Sequence, residues 1–249
     1  SAYVSKTMKI LSSALDVHPR GPRDTKKKKA ILIGATGATG KQLLRQLLDS
    51  DHWDGITTIT RRPVLDGQGH GKLHEVVIDS FKDLSSTKDD WHGHDVFFNC
   101  IGTTRGKAGG AKQFVDIEFG ISLGAAELAS GAGIPNASVI SASGANSNGW
   151  APEWIHPLLY AKTIGQKEET LTKHFSFKNV TIFRPGMLIR HYDGESTMQR
   201  FFNSSSLGLP VSLLASAMKR DAESLARDSA ANEAIIYKGN KCINSAIDL

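Results

Sequence analysis

Cysteine is nearly missing from this 249-residue chain, where Cys100 and Cys242 are the only two. Two such thiols build neither a disulfide framework nor a cysteine zinc cage, so no metal is expected and a reducing compartment is the natural setting. Long apolar runs are missing too. No stretch approaches the roughly 18 to 20 apolar residues of a membrane-spanning helix, so no transmembrane span is expected. The composition, 40% apolar and 22% charged, excludes collagen-like, disordered and disulfide-scaffold classes. It is that of a globular protein, with length for one large α/β domain or two small ones.

An evenly spread basic charge is also lacking. Eight bases (Lys6, Lys9, Arg20, Arg23 and Lys26 to Lys29) against Asp16 and Asp24 give residues 1–29 a charge of +6, which leaves −1 of the chain's +5 for the rest. A nucleic-acid groove across the fold is therefore not expected, because the basicity reports an arm. Within that arm Val4, Met8, Leu11 and Leu15 have the spacing of an apolar helical stripe, with Pro19 to end it and the lysine run to follow. The arm is either a solvated extension or a segment that docks on an acidic protein partner or membrane surface. A start at Ser1 fits cleavage of a presequence and equally fits removal of a methionine.

From Ala30 the pattern changes. Ala30 to Ile33 is a short, wholly apolar run, as in a parallel-sheet strand buried on both faces. Gly34-Ala35-Thr36-Gly37-Ala38-Thr39-Gly40 follows, and then a helical pattern over Lys41 to Leu48. In a strand–turn–helix unit of this kind the three glycines have separate duties. Gly34 permits the tight bend, Gly37 lets backbone approach a pyrophosphate, and Gly40 lets the helix pack closely on the strand. The N–H groups around Thr36, Gly37, Ala38 and Thr39 would then face the anion at a helix N-terminus.

Further strands are expected at Ile56 to Thr60, Val76 to Ile78, Val96 to Ile101, Ser138 to Ser141 and Val180 to Phe183, with helices over Lys112 to Ser130 and Leu158 to Phe175. The inner face of the first of these helices is read as Val115, Phe119, Ser122 or Leu123, and Ala126. This alternation predicts a doubly wound parallel sheet, a Rossmann-type NAD(P)-binding fold, with strand order 3-2-1-4-5-6. Residues 30–249 form one domain in this reading and residues 1–29 its basic arm. Arg61-Arg62 after the second strand occupy the place of the acidic residue that holds an NAD ribose. They favour a 2′-phosphate and hence NADP(H), the alternative being a solvated loop. Asp79 would border the adenine, and Cys100, Ile101, Gly102 and Thr103 lie where backbone can reach the cofactor.

Together, Gly34 to Gly40, Arg61-Arg62, Gly102-Thr103-Thr104-Arg105-Gly106-Lys107-Ala108-Gly109 and Phe183-Arg184-Pro185-Gly186 resemble the atypical short-chain dehydrogenase/reductases, in the branch of the HIV Tat-interactive oxidoreductase and its fungal mitochondrial relatives. The resemblance runs from about Ala30 to the C-terminus. It implies a Rossmann fold that binds NADPH, adds Pro185 and Gly186 to the cofactor residues, and points to a mitochondrial setting, with a cytoplasmic one as the alternative. Family catalysis would use a serine, best matched by Ser143 with Ser141 behind it, and a Tyr-x-x-x-Lys pair on one helical face, where the cation lowers the phenol's pKa.

Tyr160 matches the tyrosine, but Ile164 stands four residues on. The lost cation matters. A unit charge at about 4 Å is worth on the order of 4 kcal/mol at an effective dielectric of about 20, or some three pKa units. Without it a phenol stays near pKa ~10. Lys162 points to another face and Lys167 lies about 10 Å further along the helix axis, while Lys107 and Arg184 are remoter candidates. A second Tyr-x-x-x-Lys, at Tyr237 and Lys241, is read as chance. An insertion at 146–157 carries Trp150 and Trp154, as a substrate lid, a partner-binding patch or a satellite core. Two functions compete. One is a catalytically impaired, NADP(H)-bearing accessory subunit of a larger assembly, such as a mitochondrial respiratory-chain complex; the other is an active NADPH-dependent reductase of a small carbonyl substrate with Tyr160 as proton donor.

Overall fold

A computed structural model describes residues 6–17, 26–152, 154–190, 208–225 and 233–248. In chain order its elements are strands β1 (Thr7–Leu11) and β2 (Lys28–Ile33), helix α1 (Ala38–Leu48), strands β3 (Trp53–Thr60), β4 (Leu73–Val77) and β5 (Val96–Asn99), and the short helices α2 (Arg105–Ala108) and α3 (Ala111–Val115). A π-helical turn (Asp116–Ile121) leads into α4 (Ser122–Gly131). Strand β6 (Asn136–Ile140), helix α5 (His156–Lys173) and strand β7 (Asn179–Arg184) follow, then β8 (Leu188–Ile189), β9 (Leu209–Pro210), α6 (Val211–Ser224), β10 (Glu233–Lys238) and α7 (Asn240–Ser245).

Among the described residues eight strands form one parallel sheet, in the order β1-β10-β7-β6-β5-β2-β3-β4. The six strands legible in the sequence, β2 to β7, lie in the expected 3-2-1-4-5-6 order. Ile31, Leu32 and Ile33 of β2 have no exposed surface, as a central parallel strand covered by helices on both sides requires. One face packs against α1, α6 and α7 through residues such as Leu43, Leu44, Leu214 and Met218. The other packs against α4 and α5 through Ala125, Ala129 and Leu171, with Trp91 beside them. Each fully buried leucine contributes about 1.5 to 3 kcal/mol, enough to fix which face of each helix turns inward.

Two sequence expectations are corrected here. The first concerns the arm, where Met8 and Leu11 are not on a helix: Thr7 to Leu11 form an edge strand paired with β10, Met8 opposite Ala234 and Ile10 opposite Ile236, and Leu15 lies in a separate 3₁₀ turn (Ala14–Asp16). Isolated helices shorter than about 12 to 15 residues are marginal in water, whereas the β10 edge offers a row of unpaired backbone groups. Leu11 is buried, while Met8, Ile10 and Leu15 are exposed. Two arm lysines cap helices of the same chain: Lys6 Nζ donates to the carbonyls of Thr172 and Phe175 at the end of α5, and buried Lys28 donates to those of Ala222, Glu223 and Leu225 at the end of α6. Ammonium groups are favourable there because they meet unpaired carbonyls and the negative end of the helix dipole. Val4, Pro19, Arg20, Arg23 and Asp24 lie outside the described residues.

The second correction concerns the helix at 112–130. The π-turn adds a residue to one turn of it. The buried positions therefore run Phe114, Glu118, Ser122, Ala125, Ala126, Ala129, and the inward face before Ser122 is shifted one residue from the expected Val115 and Phe119. An apolar Phe119 gives way to a charged Glu118 on the buried side.

Candidate active site

The C-terminal ends of β2, β5, β6 and β7 surround a cavity of about 410 Å³. It opens where the strand order reverses between β2 and β5, the usual ligand crevice of a doubly wound sheet. Its first wall is the turn after β2. Gly34 there has a φ of +80°, in the left-handed region, and a Cβ on it would meet the backbone of Cys100 at 2.6 Å. A Cβ on Gly40 would stand 2.1 Å from the Gly34 carbonyl oxygen, so helix α1 reaches the strand only because that atom is absent. Gly37 is the N-cap of α1 and no side chain caps the first turn. Thr36, Gly37, Ala38 and Thr39 line the cavity; the Gly37 N–H closes the turn on the Gly34 carbonyl at 3.0 Å, and the start of α1 brings the positive end of a helix to whatever enters. This cradle fits a dinucleotide's phosphates.

Cys100, Ile101, Gly102 and Thr103 line the second wall, and Pro185 and Gly186 a third. Burial pushes the Cys100 thiol up to about 12, against a weak opposing pull from Lys167. At neutral pH it is a packing group and not a nucleophile. Arg61, Arg62 and Asp79 follow β3 and β4, are exposed, and lie outside the lining of this cavity.

Tyr160 and Ile164, one turn apart on α5, both line the cavity. The Tyr160 ring sits against Phe114, with centroids 5.7 Å apart, and His156, at 6.2 Å. Burial raises its phenol above the ordinary tyrosine range, the negative charge of Glu118 raises it further, and Arg190 pulls the other way. Ser143 stands outside the lining, with its hydroxyl donating to the Pro185 carbonyl at 2.8 Å. Ser141 does line the cavity, but its hydroxyl donates to Glu168. Arg184 grips the same Glu168 through both guanidinium branches, Nε lying 2.8 Å from Oε1. The Arg184 cation is thus committed behind β6 and does not stand in for the lysine.

Lys167 does reach the cavity. Its ammonium lies 3.3 Å from Glu118 Oε2, and each residue is about 2% exposed. Glu118 Oε1 accepts the Thr103 N–H at 2.5 Å. Sequence reasoning missed Glu118, which the π-turn brings inward. The rise of about 10 Å from Tyr160 to Lys167 separates backbone positions, whereas helical side chains lean towards the N-terminus. The insertion preceding α5 is anchored by contact of backbone on backbone. Asn146 N donates to the Ala161 carbonyl at 2.9 Å, and a Cβ on Gly165 would stand 2.2 Å from Ser147 N. Trp150 and Trp154 are 72% and 75% exposed, which removes the satellite-core reading. Tyr237, from the second Tyr-x-x-x-Lys, is buried in β10 and donates to Asp221 at 2.9 Å. Among the described residues no helix is long and apolar enough to cross a membrane.

Known proteins bear on this site. The family model described as NAD(P)H-binding matches residues 34–212. Protein HTATIP2 of Rattus norvegicus is 31% identical over 202 residues, 77% of this chain and 79% of its own. Protein FMP52, mitochondrial, of Meyerozyma guilliermondii is 33% identical over 187 residues, 75% of this chain and 74% of its own. A crystal structure of the oxidoreductase ylbE from Lactococcus lactis shares the fold, with a TM-score of 0.62 at 20% identity over 88% of this chain and 95% of that one. Cradle, sheet order and relatives agree that the chain belongs to the NAD(P)H-binding family of atypical short-chain dehydrogenase/reductases, with a Rossmann-like fold.

Proposed function

We propose that this chain holds NADP(H) in the cavity and turns over carbonyl compounds slowly or not at all, serving as a cofactor-bearing accessory subunit in mitochondria. The carrying observation is the wall around Tyr160. Ile164 supplies no charge, and the Lys167 ammonium is paired with Glu118, whose own charge opposes ionisation of the phenol. When bound, the nicotinamide would give or take hydride. The Gly34–Gly40 turn would hold the phosphates, Arg61 and Arg62 the 2′-phosphate, Asp79 the adenine side, and residues 100–103 with Pro185 and Gly186 the remaining walls. Tyr160 keeps its proton, while Ser143 is occupied by Pro185. Exposed Trp150 and Trp154 on an anchored loop and the mitochondrial designation of the fungal relatives support the accessory and organellar parts.

A second reading, an active reductase of a small carbonyl compound, is favoured by one observation: Lys167 lines the same cavity as Tyr160. The deciding experiment follows NADPH oxidation over a panel of aldehydes, ketones and quinones for the parent, Tyr160→Phe and Ile164→Lys. Activity confined to Ile164→Lys, rising by roughly a hundredfold as positioned acid–base catalysis allows, supports the impaired site. Robust parental turnover that Tyr160→Phe abolishes establishes the reductase instead.

A further inference from the structure

Among the described residues the charged side chains lining the cavity are Lys107, Glu118, Lys167 and Arg190. Glu118 and Lys167 are buried and paired with each other at 3.3 Å, so their charges cancel at the inner wall. Lys107 and Arg190 are exposed and therefore stand at the mouth. The lining thus has two more cations than carboxylates, and both face the entry. A cleft with one sign of charge and low-dielectric walls focuses the field and concentrates ions of the other sign.

In the dinucleotide reading the phosphates lie at the start of α1, beyond the end of β2. Arg190 comes from another part of the rim. It follows β7 by way of Gly186 and β8, and β7 stands three strands from β2, roughly 14 Å at about 4.8 Å per strand. Its charge is felt at the Tyr160 phenol, where it opposes the upward push of burial and of Glu118. An arginine fork matches a carboxylate, giving two parallel N–H donors to its two oxygens. Apolar Ile140 and Leu188 line the same cavity and suit a short hydrocarbon or aromatic body. We propose that the mouth of the cavity binds a small organic acid, with Arg190 as the partner of its carboxylate and Lys107 adding to the field that draws it in. Among carbonyl compounds this selects the 2-oxo acids, whose ketone adjoins the carboxylate. The inference rests on the dinucleotide reading of the site, and it holds whether the chain reduces the acid or only retains it.

The test uses the full chain loaded with NADP⁺, which has no hydride to give, so that binding is read without turnover. Calorimetry compares pyruvate and benzoylformate with their methyl esters, which keep the ketone and lose the charge, for the parent, Arg190→Gln and Lys107→Gln. Both side chains are exposed, and melting temperatures check that each variant folds. At least one acid is expected to bind roughly tenfold tighter than its ester, the worth of a charge-assisted contact, with an advantage that shrinks at high salt. Arg190→Gln should remove most of that advantage and Lys107→Gln roughly two- to fivefold of it, as for an exposed ion pair, with NADP⁺ affinity unchanged in both. Equal affinities for acid and ester, no measurable acid binding, or losses of acid and NADP⁺ in step would overturn the proposal, the last by assigning the two cations to the cofactor. The same titrations on the unloaded chain keep the two readings apart. Acid preference without NADP⁺ binding sinks the dinucleotide reading and retains the acid site, while NADP⁺ binding without acid preference does the reverse.

Discussion

The turn after β2 and the face of α5 border one cavity but are made in different ways. The turn works through backbone: glycines at 34 and 40 allow contacts that a single methyl group would close, and the functional groups are N–H donors at a helix start. The α5 face works through side chains, and four charged or hydroxyl groups near Tyr160, Lys167 and Ser141 in the lining with Ser143 and Arg184 outside it, are already paired. Ser141 and Arg184 are tied to Glu168, Lys167 to Glu118 and Ser143 to Pro185. One wall is preorganised to receive a ligand. The other is neutralised from within, and on this contrast rests the proposal of cofactor binding without brisk catalysis.

The largest effect is expected from Gly40→Ala, which breaks the backbone wall. The new methyl would stand 2.1 Å from the Gly34 carbonyl, so α1 must back away from β2 and spoil the cradle. A loss of about 3 kcal/mol in urea unfolding together with loss of measurable NADPH binding is expected. Near-parental values in both would show that the turn is not held by that contact.

A smaller effect is expected from Arg61→Ala combined with Arg62→Ala, which lie after β3 and outside the cavity lining. Both side chains are exposed, so the fold should stay intact while the preference for NADPH over NADH falls by roughly tenfold, the worth of a lost charge-assisted contact to phosphate. Calorimetry with both nucleotides reads this directly. Equal affinities in the parent would remove the 2′-phosphate role.

Least of all is expected for stability from Trp150→Ser with Trp154→Ser. Exposure leaves them little to contribute, so unfolding free energy should move by no more than about 0.5 kcal/mol, against about 3 to 5 kcal/mol for a tryptophan in a core. A change of the larger size would mean that the loop packs as a core in solution.

The contrast also explains how much was legible in the sequence. Strand, turn and helix at Ala30 to Leu48 are encoded locally, in an apolar run, three glycines and a helical repeat, and the order of β2 to β7 follows from the alternation of elements. The arm was misread because Val4, Met8, Leu11 and Leu15 suit a helix, while what decides is the open edge of β10, a strand more than 200 residues away. Glu118 was invisible because a π-turn shifts the phase of its helix by one residue, and no periodicity marks such a turn beforehand. Ile164 was legible as a missing cation. That Lys167 reaches the cavity depends on side-chain direction and on a partner 49 positions earlier.

The state of the Tyr160 phenol tests the account of the second wall most directly. Burial and the Glu118 charge both disfavour the phenolate, so ionisation is displaced to higher pH; a cation introduced by Ile164→Lys would displace it to lower pH. The measurement is the ultraviolet phenolate absorbance of the NADPH-loaded protein against pH, with the Tyr160→Phe spectrum subtracted to isolate this group among the four tyrosines. The expected result is a Tyr160 that titrates above the ordinary value of about 10 and moves down by one to three units, roughly the worth of a nearby charge, in Ile164→Lys. A parental phenolate already formed between about pH 7 and 8, the range of a matched catalytic acid–base group, would contradict the neutralised site.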